Sequence, residues 1–280
     1  MTTTVATPSR DDILGHSAAE LERLVAQGRF FGGLTDQLLH HAGLQPGMRV
    51  LDIGCGTGDV SFLAARIVGP QGSVLGIDIS QAAVDAACQR AASAGLGYVR
   101  FIAADAATLR LDETFDALVG QRVLMYMADP AVVVRRLAQL LRPGGIVAFH
   151  EFDLLAPTSE PHCELFAQAM QRVQQAFLRG GIDIRTGLRF PRIFREAGLP
   201  APQLSMAAPV QYGPDAEIYA QVAGVTRALL PLMERTGVAT AAEVDIDTLA
   251  DRLRTEAVEN DATLVGPALV GAWTRVEQTT

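Results

Sequence analysis

Cysteine and excess positive charge are both scarce in this chain of 280 residues. Its three cysteines, Cys55, Cys88 and Cys163, form no CxxC pair, so they favour neither a disulfide framework nor a zinc or redox site, and we expect no metal. The 23 Lys and Arg residues are outnumbered by 31 Asp and Glu residues, which leaves a net charge of −8. Nucleic-acid-binding proteins normally carry a basic patch or stripe, so this balance argues against a nucleic-acid partner.

Long apolar runs are absent as well, although 49% of the residues are hydrophobic. No stretch approaches the roughly 18 consecutive apolar residues that a membrane span requires. The polar N-terminal segment, MTTTVATPSRDD, has no apolar core of the kind found in secretory signals. We therefore expect a cytoplasmic globular protein with no membrane partner. The length suits one large domain, or a core domain with an appendage.

A regular alternation of strands and helices begins near Met48. Five short apolar runs predict strands: MRVLDIG, SVLGIDIS, VRFIAAD, FDALVGQ and IVAFHEF. Helices separate most of them, and strands joined in this way imply right-handed crossovers and a parallel sheet. Because the runs are almost continuously apolar, helices are expected to cover both faces of the sheet. The fold class is therefore α/β.

The segments outside this core are predicted to be mainly helical. Residues 1–15 form a tail, and residues 17–43 show helical apolar spacing, with Gly32-Gly33 predicted to break them into two helices. Later predicted elements are helices over 160–180, 190–199, 214–234 and 246–259, and strands in QLSMAAPVQY and ALVGAWTRV. We divide the chain into an N-terminal tail with lid helices, 1–44, and a main domain, 45–280. Helical insertions at about 155–188 and 214–260 complete the lid.

A dense glycine motif, LDIGCGTGDV over residues 51–60, lies between the first strand and its helix. Such a turn offers free backbone N–H groups and the positive end of a helix to a ligand. A triphosphate loop would need Lys and then Ser or Thr after the last glycine, and a dinucleotide turn would be spaced GxGxxG. Here Gly54, Gly56 and Gly58 are spaced GxGxG, and Asp52 and Asp59 flank them. The motif favours a ligand with a positive or zwitterionic part over a polyphosphate.

Aspartates recur at the ends of the first three predicted strands. Asp52, Asp78 and Asp105 are separated by 26 and 27 residues, about one strand–helix unit each. Open α/β sheets bind ligands at the carboxyl edge of their strands, where these side chains are expected to line up. A carboxylate in the position of Asp78 can accept hydrogen bonds from both hydroxyls of a ribose. A single strand-end aspartate is often only a helix cap, but three in step beside a glycine turn predict a nucleoside site.

Five segments in consecutive order resemble the class I S-adenosylmethionine-dependent methyltransferases: VLDIGCGTG, GIDIS, AADAATL, FDALVGQRVLMY and LRPGGIVAFHEFD. The resemblance covers roughly residues 45–153. It implies a Rossmann-like seven-stranded sheet, mostly parallel with the last strand antiparallel, and N-terminal and inserted helices as a lid. It also implies S-adenosyl-L-methionine as cofactor and S-adenosyl-L-homocysteine as product. A sulfonium cofactor without phosphate agrees with the acidic glycine turn.

The resemblance implies a role for each matched position at the nucleoside end of the cofactor. Asp78 would bind the ribose hydroxyls, and Ile79 would pack on the adenine. Asp105 would accept a hydrogen bond from the adenine amino group, with the backbone N–H of Ala106 nearby.

At the methionine end, the resemblance implies that the Gly54–Gly58 turn, which includes Cys55, approaches the methionine portion. Asp52 would help to hold its amino group. Gln121, just after the fourth strand, would lie close to the sulfonium end. All these roles are expectations that follow from the resemblance.

The methyl acceptor is expected near the ends of the fourth and fifth strands. His150 and Glu151 are the candidate catalytic bases, since a base should face the methyl group from that edge and histidine titrates near neutral pH. Arg122 and Tyr126 are candidate substrate-binding residues, and Phe30 is a candidate for closing the lid on an apolar acceptor. Because methyl transfer from a sulfonium is an in-line displacement with an activated donor, positioning is expected to outweigh base catalysis.

The sequence therefore predicts a methyltransferase acting on a small, largely apolar metabolite. Whether oxygen, nitrogen or carbon receives the methyl group stays open, as does a homodimer. Three alternatives also stay open: a non-catalytic protein that binds S-adenosylmethionine, an NAD-dependent oxidoreductase on a similar sheet, and an enzyme that keeps the cofactor but catalyses different chemistry.

Overall fold

A seven-stranded sheet runs through the centre of the protein, whose computed structural model describes residues 18–277. The strands in chain order are β1 (Arg49–Ile53), β2 (Ser73–Asp78), β3 (Val99–Ala103), β4 (Phe115–Gln121), β5 (Leu141–Asp153), β6 (Thr158–Glu160), β7 (Gln203–Ala207), β8 (Val210–Tyr212), β9 (Thr263–Val265) and β10 (Ala268–Arg275). The helices are α1 (Ala18–Ala42), α2 (Asp59–Val68), α3 (Gln81–Ser93), α4 (Pro130–Ala138), α5 (Glu164–Arg179), α6 (Phe190–Ala197), α7 (Ile218–Thr236), α8 (Ala241–Val244) and α9 (Leu249–Glu259). Short 3₁₀ turns cover Leu124–Tyr126 and Thr186–Arg189.

The strand order of the main sheet is β3-β2-β1-β4-β5-β10-β7. The first five strands pair in parallel, and β10 runs antiparallel to both of its neighbours, β5 and β7. This confirms the predicted α/β class and the mostly parallel Rossmann-like sheet with an antiparallel last strand. The order reverses between β1 and β4, so the ends of these strands and of β2 meet at the edge where the glycine turn lies.

The two faces of the sheet are covered by different helices because successive residues of β1 point in opposite directions. Val50 packs in a cluster with residues of α1, α2 and α3, such as Val60 and Ala87. Leu51 packs in a second cluster with residues of α4 and α6, such as Val134 and Phe194. Burial on both faces explains the continuously apolar strands of the sequence.

The N-terminal helix differs from its prediction. Residues 18–42 form one continuous helix instead of two that break at Gly32-Gly33. A glycine in a helix interior costs only about 1 kcal/mol relative to alanine. Packing offsets this cost, because Phe31, Leu38 and Leu39 on the same helix are buried against the body of the protein. The predicted tail over residues 1–15 lies outside the described residues.

Several later elements also have boundaries other than those expected. The segment QLSMAAPVQY forms two strands in two sheets: β7 joins the main sheet, while β8 joins β6 and β9 in a small sheet ordered β6-β9-β8. Pro209, which lacks a backbone N–H, separates them. The helix predicted over 246–259 begins at Leu249 and is preceded by the short helix α8, which starts with a capping box between Thr240 and Glu243.

Helices from three parts of the chain cover the carboxyl edge of the sheet. One cluster of buried side chains, which contains Phe31, Phe152 and Val173, joins α1, α5 and α7 to the end of β5. A second, which contains Phe166, Tyr219 and Leu253, joins α5, α7 and α9 to one another. None of the helices within residues 18–277 is both long and apolar enough to cross a lipid bilayer. The site described next lies between these helices and the sheet edge.

Candidate functional site

The glycine turn after β1 adopts a backbone that side chains would obstruct. Gly54, Gly56 and Gly58 have φ values of +63°, +52° and +90°, in the left-handed region that L-residues with a side chain rarely adopt. A Cβ atom at Gly54 would lie 2.3 Å from Cγ2 of Val123. The sequence pattern therefore has a steric cause: the turn must pass close to the segment that follows β4.

Asp78 ties the end of β2 to this turn. Its Oδ2 accepts a hydrogen bond from the Gly56 backbone N–H at 2.8 Å, and its Oδ1 accepts from the Ser80 N–H at 2.9 Å. Each carboxylate oxygen can accept more than one bond, so both keep capacity for a ligand. Asp105, one strand further along, is exposed, and its Oδ1 accepts from the Ala107 N–H.

The residues predicted for the nucleoside end lie together around one cavity, here called the small cavity. Its lining consists of Gly54, Ile77, Asp78, Ile79, Ala104, Asp105, Ala106, Arg122, Val123, Tyr126 and Met127. Ile79 is 59% exposed, an unusual exposure for a large aliphatic side chain and one that leaves it free to pack on a flat apolar group. Asp78, Ile79, Asp105 and Ala106 are thus brought together from the ends of two neighbouring strands.

The two aspartates that flank the glycine turn are placed differently from the expectation. Asp59 forms an ion pair with Arg90 at 2.8 Å and accepts a hydrogen bond from the Thr57 hydroxyl, so its charge is already balanced. Asp52 is fully buried, and the Ser61 hydroxyl donates to its Oδ2 at 2.6 Å. Burial, with the nearby carboxylates of Asp78 and Asp59, raises the pKa of Asp52 to about 7. Asp52 therefore lies beneath the turn and lines neither cavity.

A second and mostly apolar cavity, here called the large chamber because more residues line it, opens beside the turn. It is lined by Arg23, Leu24, Gln27, Phe30, Phe31, Gly54, Cys55, Gly56, Thr57, Asp59, Val60, Gln121, Arg122, Tyr126, Phe152, Leu154, Met170, Val173, Phe177, Ile218, Gln221, Val222, Val225 and Pro267. Gly54, Arg122 and Tyr126 line both cavities, so the two meet at these residues.

The predicted substrate-binding residues Arg122, Tyr126 and Phe30 all lie in the chamber wall. The Arg122 guanidinium lies 5.7 Å from the ring centre of Phe31 and 5.8 Å from that of Phe152, at the distance of cation–π contacts. Its backbone φ of +52° is uncommon for a residue with a side chain, and such strain is often found at functional sites.

His150 and Glu151, the predicted bases, line neither cavity. Nδ1 of His150 lies 3.2 Å from the Thr35 hydroxyl, within the buried core. Burial and the positive charge of Arg122 lower the pKa of His150 to about 3, so the ring is neutral at physiological pH. The sequence led us to expect a base that titrates near neutral pH, but His150 does not exchange a proton in that range.

Glu151 points to the opposite side of β5 and holds the segment after β4. Its Oε1 accepts hydrogen bonds from the backbone N–H groups of Val123, at 2.8 Å, and Leu124, at 2.7 Å. Burial raises the pKa of Glu151 to about 7, while these two N–H groups and the charge of Arg122 act in the opposite direction. Glu151 thereby fixes the turn that carries Arg122 and touches Gly54.

The buried Glu151 should make stability depend on pH. Its folded-state pKa of about 7 lies above its ordinary value of 4.5, so the folded protein binds a proton more readily than the unfolded chain, and stability falls as pH rises from about 4.5 to about 7. Asp52 acts in the same direction. Glu151→Gln, which cannot ionise, should reduce this fall by up to about 3 kcal/mol, as measured by urea unfolding at about pH 5 and about pH 8.

The exposed carboxylate of Glu22 provides the matched control for this experiment. Glu22→Gln should leave the pH dependence of unfolding as it is in the parent protein. An equal pH dependence in Glu151→Gln and in the parent would show that Glu151 does not titrate in this range.

The sequence reasoning missed Thr35 and most of the chamber wall. Thr35 is buried on α1, and its hydroxyl accepts a hydrogen bond from Nε2 of Gln121 at 2.5 Å. The available signal was a polar residue at helical spacing between buried Phe31 and Leu38. Wall residues such as Met170 and Val222 come from α5 and α7, and no local motif distinguishes them from ordinary core residues.

A comparison of the sequence with models of protein families identifies its family. The family model described as a methyltransferase domain matches residues 44–198, more than half of the chain. The chain belongs to this family. Its glycine turn, Asp78 and Asp105 occupy the strand ends expected for a class I S-adenosylmethionine-dependent methyltransferase.

The curated relatives of this chain include both O-methyltransferases and C-methyltransferases. Nocamycin O-methyltransferase of Saccharothrix syringae is 36% identical over 145 residues, 51% of this chain and 50% of that protein. The ubiquinone/menaquinone biosynthesis C-methyltransferase UbiE of Cellvibrio japonicus is 35% identical over 130 residues, 46% of this chain and 50% of that protein. The chain spans about half the length of the curated relatives it matches.

A solved structure resembles this chain in fold over 97% of its residues. Phosphoethanolamine N-methyltransferase 2 of Haemonchus contortus, in complex with phosphomonomethylethanolamine and S-adenosylhomocysteine, has a TM-score of 0.59 and covers 97% of this chain and 61% of its own. At 16% sequence identity this likeness establishes the fold alone.

Proposed function

We propose that this protein transfers a methyl group from S-adenosylmethionine to a small, largely apolar metabolite. The observation that carries the proposal is the position of the two cavities: a small cavity with the carboxylates of Asp78 and Asp105 shares Gly54, Arg122 and Tyr126 with a chamber whose walls are mostly apolar. The names of the O- and C-methyltransferase relatives support the same activity class.

The residues of the small cavity and the turn suit this cofactor. Asp78 would accept from the ribose hydroxyls with the lone pairs that Gly56 and Ser80 leave free, and exposed Ile79 would pack on the adenine. The left-handed glycines let the turn approach the methionine portion closely. When bound, S-adenosylmethionine supplies a methyl group already activated by a positive sulfur.

The chamber contributes mainly by positioning the acceptor and excluding water. Holding two reactants in line can lower a barrier by roughly 7–11 kcal/mol, and a positioned base adds about 3–5 kcal/mol. Within residues 18–277, the titratable side chains of the chamber lining are Arg23, Cys55, Asp59, Arg122 and Tyr126. Arg23 is paired with Glu20, and Asp59 with Arg90. The structure therefore favours alignment of an acceptor in an apolar pocket over general-base catalysis.

Isothermal titration calorimetry with S-adenosylhomocysteine tests the cofactor part of the proposal. We expect one site per chain with micromolar or tighter affinity and no binding of NADH. Incubation with methyl-labelled S-adenosylmethionine and a panel of apolar phenols, amines and quinols then tests transfer. The absence of cofactor binding would overturn the proposal, and tight binding without any labelled product would favour the non-catalytic alternative.

A further inference from the structure

We propose that Thr35 and His150 are positioning residues that hold the Gln121 amide with its oxygen toward the large chamber, where it selects an acceptor carrying an O–H or N–H group. This inference rests on the proposed methyltransferase function and deepens it by naming the chemistry of the acceptor. It concerns a chain of polar contacts that crosses from the chamber wall into the protein interior, through β4, α1 and β5.

The direction of these hydrogen bonds follows from the contact between Arg122 and Gln121. A guanidinium group only donates hydrogen bonds. Nη2 of Arg122 lies 3.3 Å from the side-chain oxygen of Gln121, so the amide oxygen is the end that faces Arg122. The amide nitrogen then faces Thr35 and donates to its hydroxyl oxygen at 2.5 Å.

Thr35 passes this orientation on to His150. With its oxygen accepting from Gln121, the hydroxyl has one proton to donate. Nδ1 of His150 at 3.2 Å is a better acceptor than the Phe31 carbonyl at 3.5 Å, which lies beyond the usual range. We therefore assign Nδ1 as the acceptor of the Thr35 proton, which places the proton of the neutral ring on Nε2.

The ring of His150 also contacts the backbone of Leu269. A hydrogen bond with the Leu269 backbone favours the protonated form of the ring, as expected when a ring N–H donates to a carbonyl. Burial and the charge of Arg122 lower the pKa of His150 to about 3, so this arrangement persists across the physiological range. Each donor in the series thus has an acceptor, and turning the Gln121 amide over would place two donors, Arg122 and its own nitrogen, against each other.

Gln121 is placed where the two substrates would meet. Gly120 pairs with Ile53, so Gln121, the last residue of β4, lies beside Gly54. Gln121 lines the large chamber and is absent from the lining of the small cavity. Its oxygen accepts one long hydrogen bond and can accept a second. In an apolar chamber, an acceptor that offers a donor to this oxygen should bind about 10-fold more tightly than one that leaves it unsatisfied.

Thr35→Val tests this series of hydrogen bonds, since valine has nearly the volume of threonine but lacks the hydroxyl. Nitrogen-15 NMR of labelled histidine should show the Nε2–H form of His150 in the parent protein and a mixture of the two neutral forms in Thr35→Val. Thr35→Ser keeps the hydroxyl and should restore the parent spectrum. Thermal unfolding verifies that each variant is folded, and affinity for S-adenosylhomocysteine should change less than about 3-fold, because the glycine turn and Asp78 are untouched.

Two matched probes test acceptor selection: 1-naphthol, which has a hydroxyl donor, and 1-methoxynaphthalene, which has none. Calorimetry on the protein saturated with S-adenosylhomocysteine should give an affinity for 1-naphthol about 10-fold higher in the parent and in Thr35→Ser, and less than about 3-fold higher in Thr35→Val.

The outcomes separate this inference from the proposed function. An Nδ1–H ring in the parent, or an unchanged ring form in Thr35→Val, would overturn the positioning roles of Thr35 and His150. Equal affinity for the two probes, or no binding of either, would overturn the selection of a donor-bearing acceptor. Failure of S-adenosylhomocysteine to bind a protein with the expected His150 spectrum would instead remove the proposed function.

Discussion

Replacing Asp78 with alanine is expected to raise the Kd for S-adenosylhomocysteine by about two orders of magnitude or more. Hydrogen bonds to a charged group contribute about 1.5–3 kcal/mol each, and two bonds to the ribose hydroxyls would be lost together. The same change removes the acceptor of the Gly56 and Ser80 N–H groups, which joins the glycine turn to the start of α3. Loss of a direct contact and of the shape of the turn therefore act in the same direction.

Calorimetry on three variants separates these two contributions. Asp78→Asn keeps an oxygen that can accept from one backbone N–H and should bind S-adenosylhomocysteine with an affinity between those of the parent and Asp78→Ala. Asp112→Ala, which removes an exposed carboxylate that lines neither cavity, should bind like the parent. Melting temperatures identify any general unfolding. Parent-like affinity in a folded Asp78→Ala variant would show that the ribose does not bind at this carboxylate.

The position of Asp78 could be predicted because it depends on local sequence and on one property of parallel sheets. Strands and their ends are visible in the apolar runs, and parallel strands bring their carboxyl ends to one edge. The glycine pattern likewise reports backbone conformation directly, since left-handed φ values at Gly54, Gly56 and Gly58 exclude most other residues. These features require no knowledge of distant side chains.

The charge of the turn could not be predicted in the same way. Asp59 appears in the sequence as an unpaired acid, but Arg90, one strand–helix unit later, neutralises it and also donates to the Thr57 carbonyl. Asp52 points into the core because the alternation of β1 places it on the face that α2 covers, beside Ser61. The acidic residues that flank the turn in the sequence therefore do not describe the charge of the folded turn.

The roles of His150 and Glu151 depend on which way each side chain leaves β5. Neighbouring residues of a strand face opposite sides of the sheet, so one meets Thr35 of α1 and the other meets the backbone after β4. Both partners are far away in the sequence. The chamber wall has the same difficulty, because α1, α5 and α7 converge only after folding and their apolar stripes resemble any core-facing helix.

Gly54→Ala is expected to destabilise the fold and to abolish cofactor binding, because two separate costs act at one position. A residue with a side chain at φ +63° costs about 1–2 kcal/mol. The added Cβ would lie 2.3 Å from Cγ2 and 2.7 Å from Cβ of Val123, and overpacking of this kind costs about 1–3 kcal/mol. Since Glu151 holds the Val123 backbone in place, the turn rather than Val123 should move. The melting temperature should fall by about 10 °C.

Val123→Gly separates the two costs, since it removes both atoms that the new methyl group would meet. The double variant Gly54→Ala/Val123→Gly should be more stable than the sum of the two single effects predicts. The coupling free energy of the double-mutant cycle should be about 1–3 kcal/mol. The backbone cost at residue 54 would persist, so affinity for S-adenosylhomocysteine should recover only in part. Strict additivity of the two changes would show that the turn and the segment after β4 are not in steric contact, and that the glycine is required by backbone conformation alone.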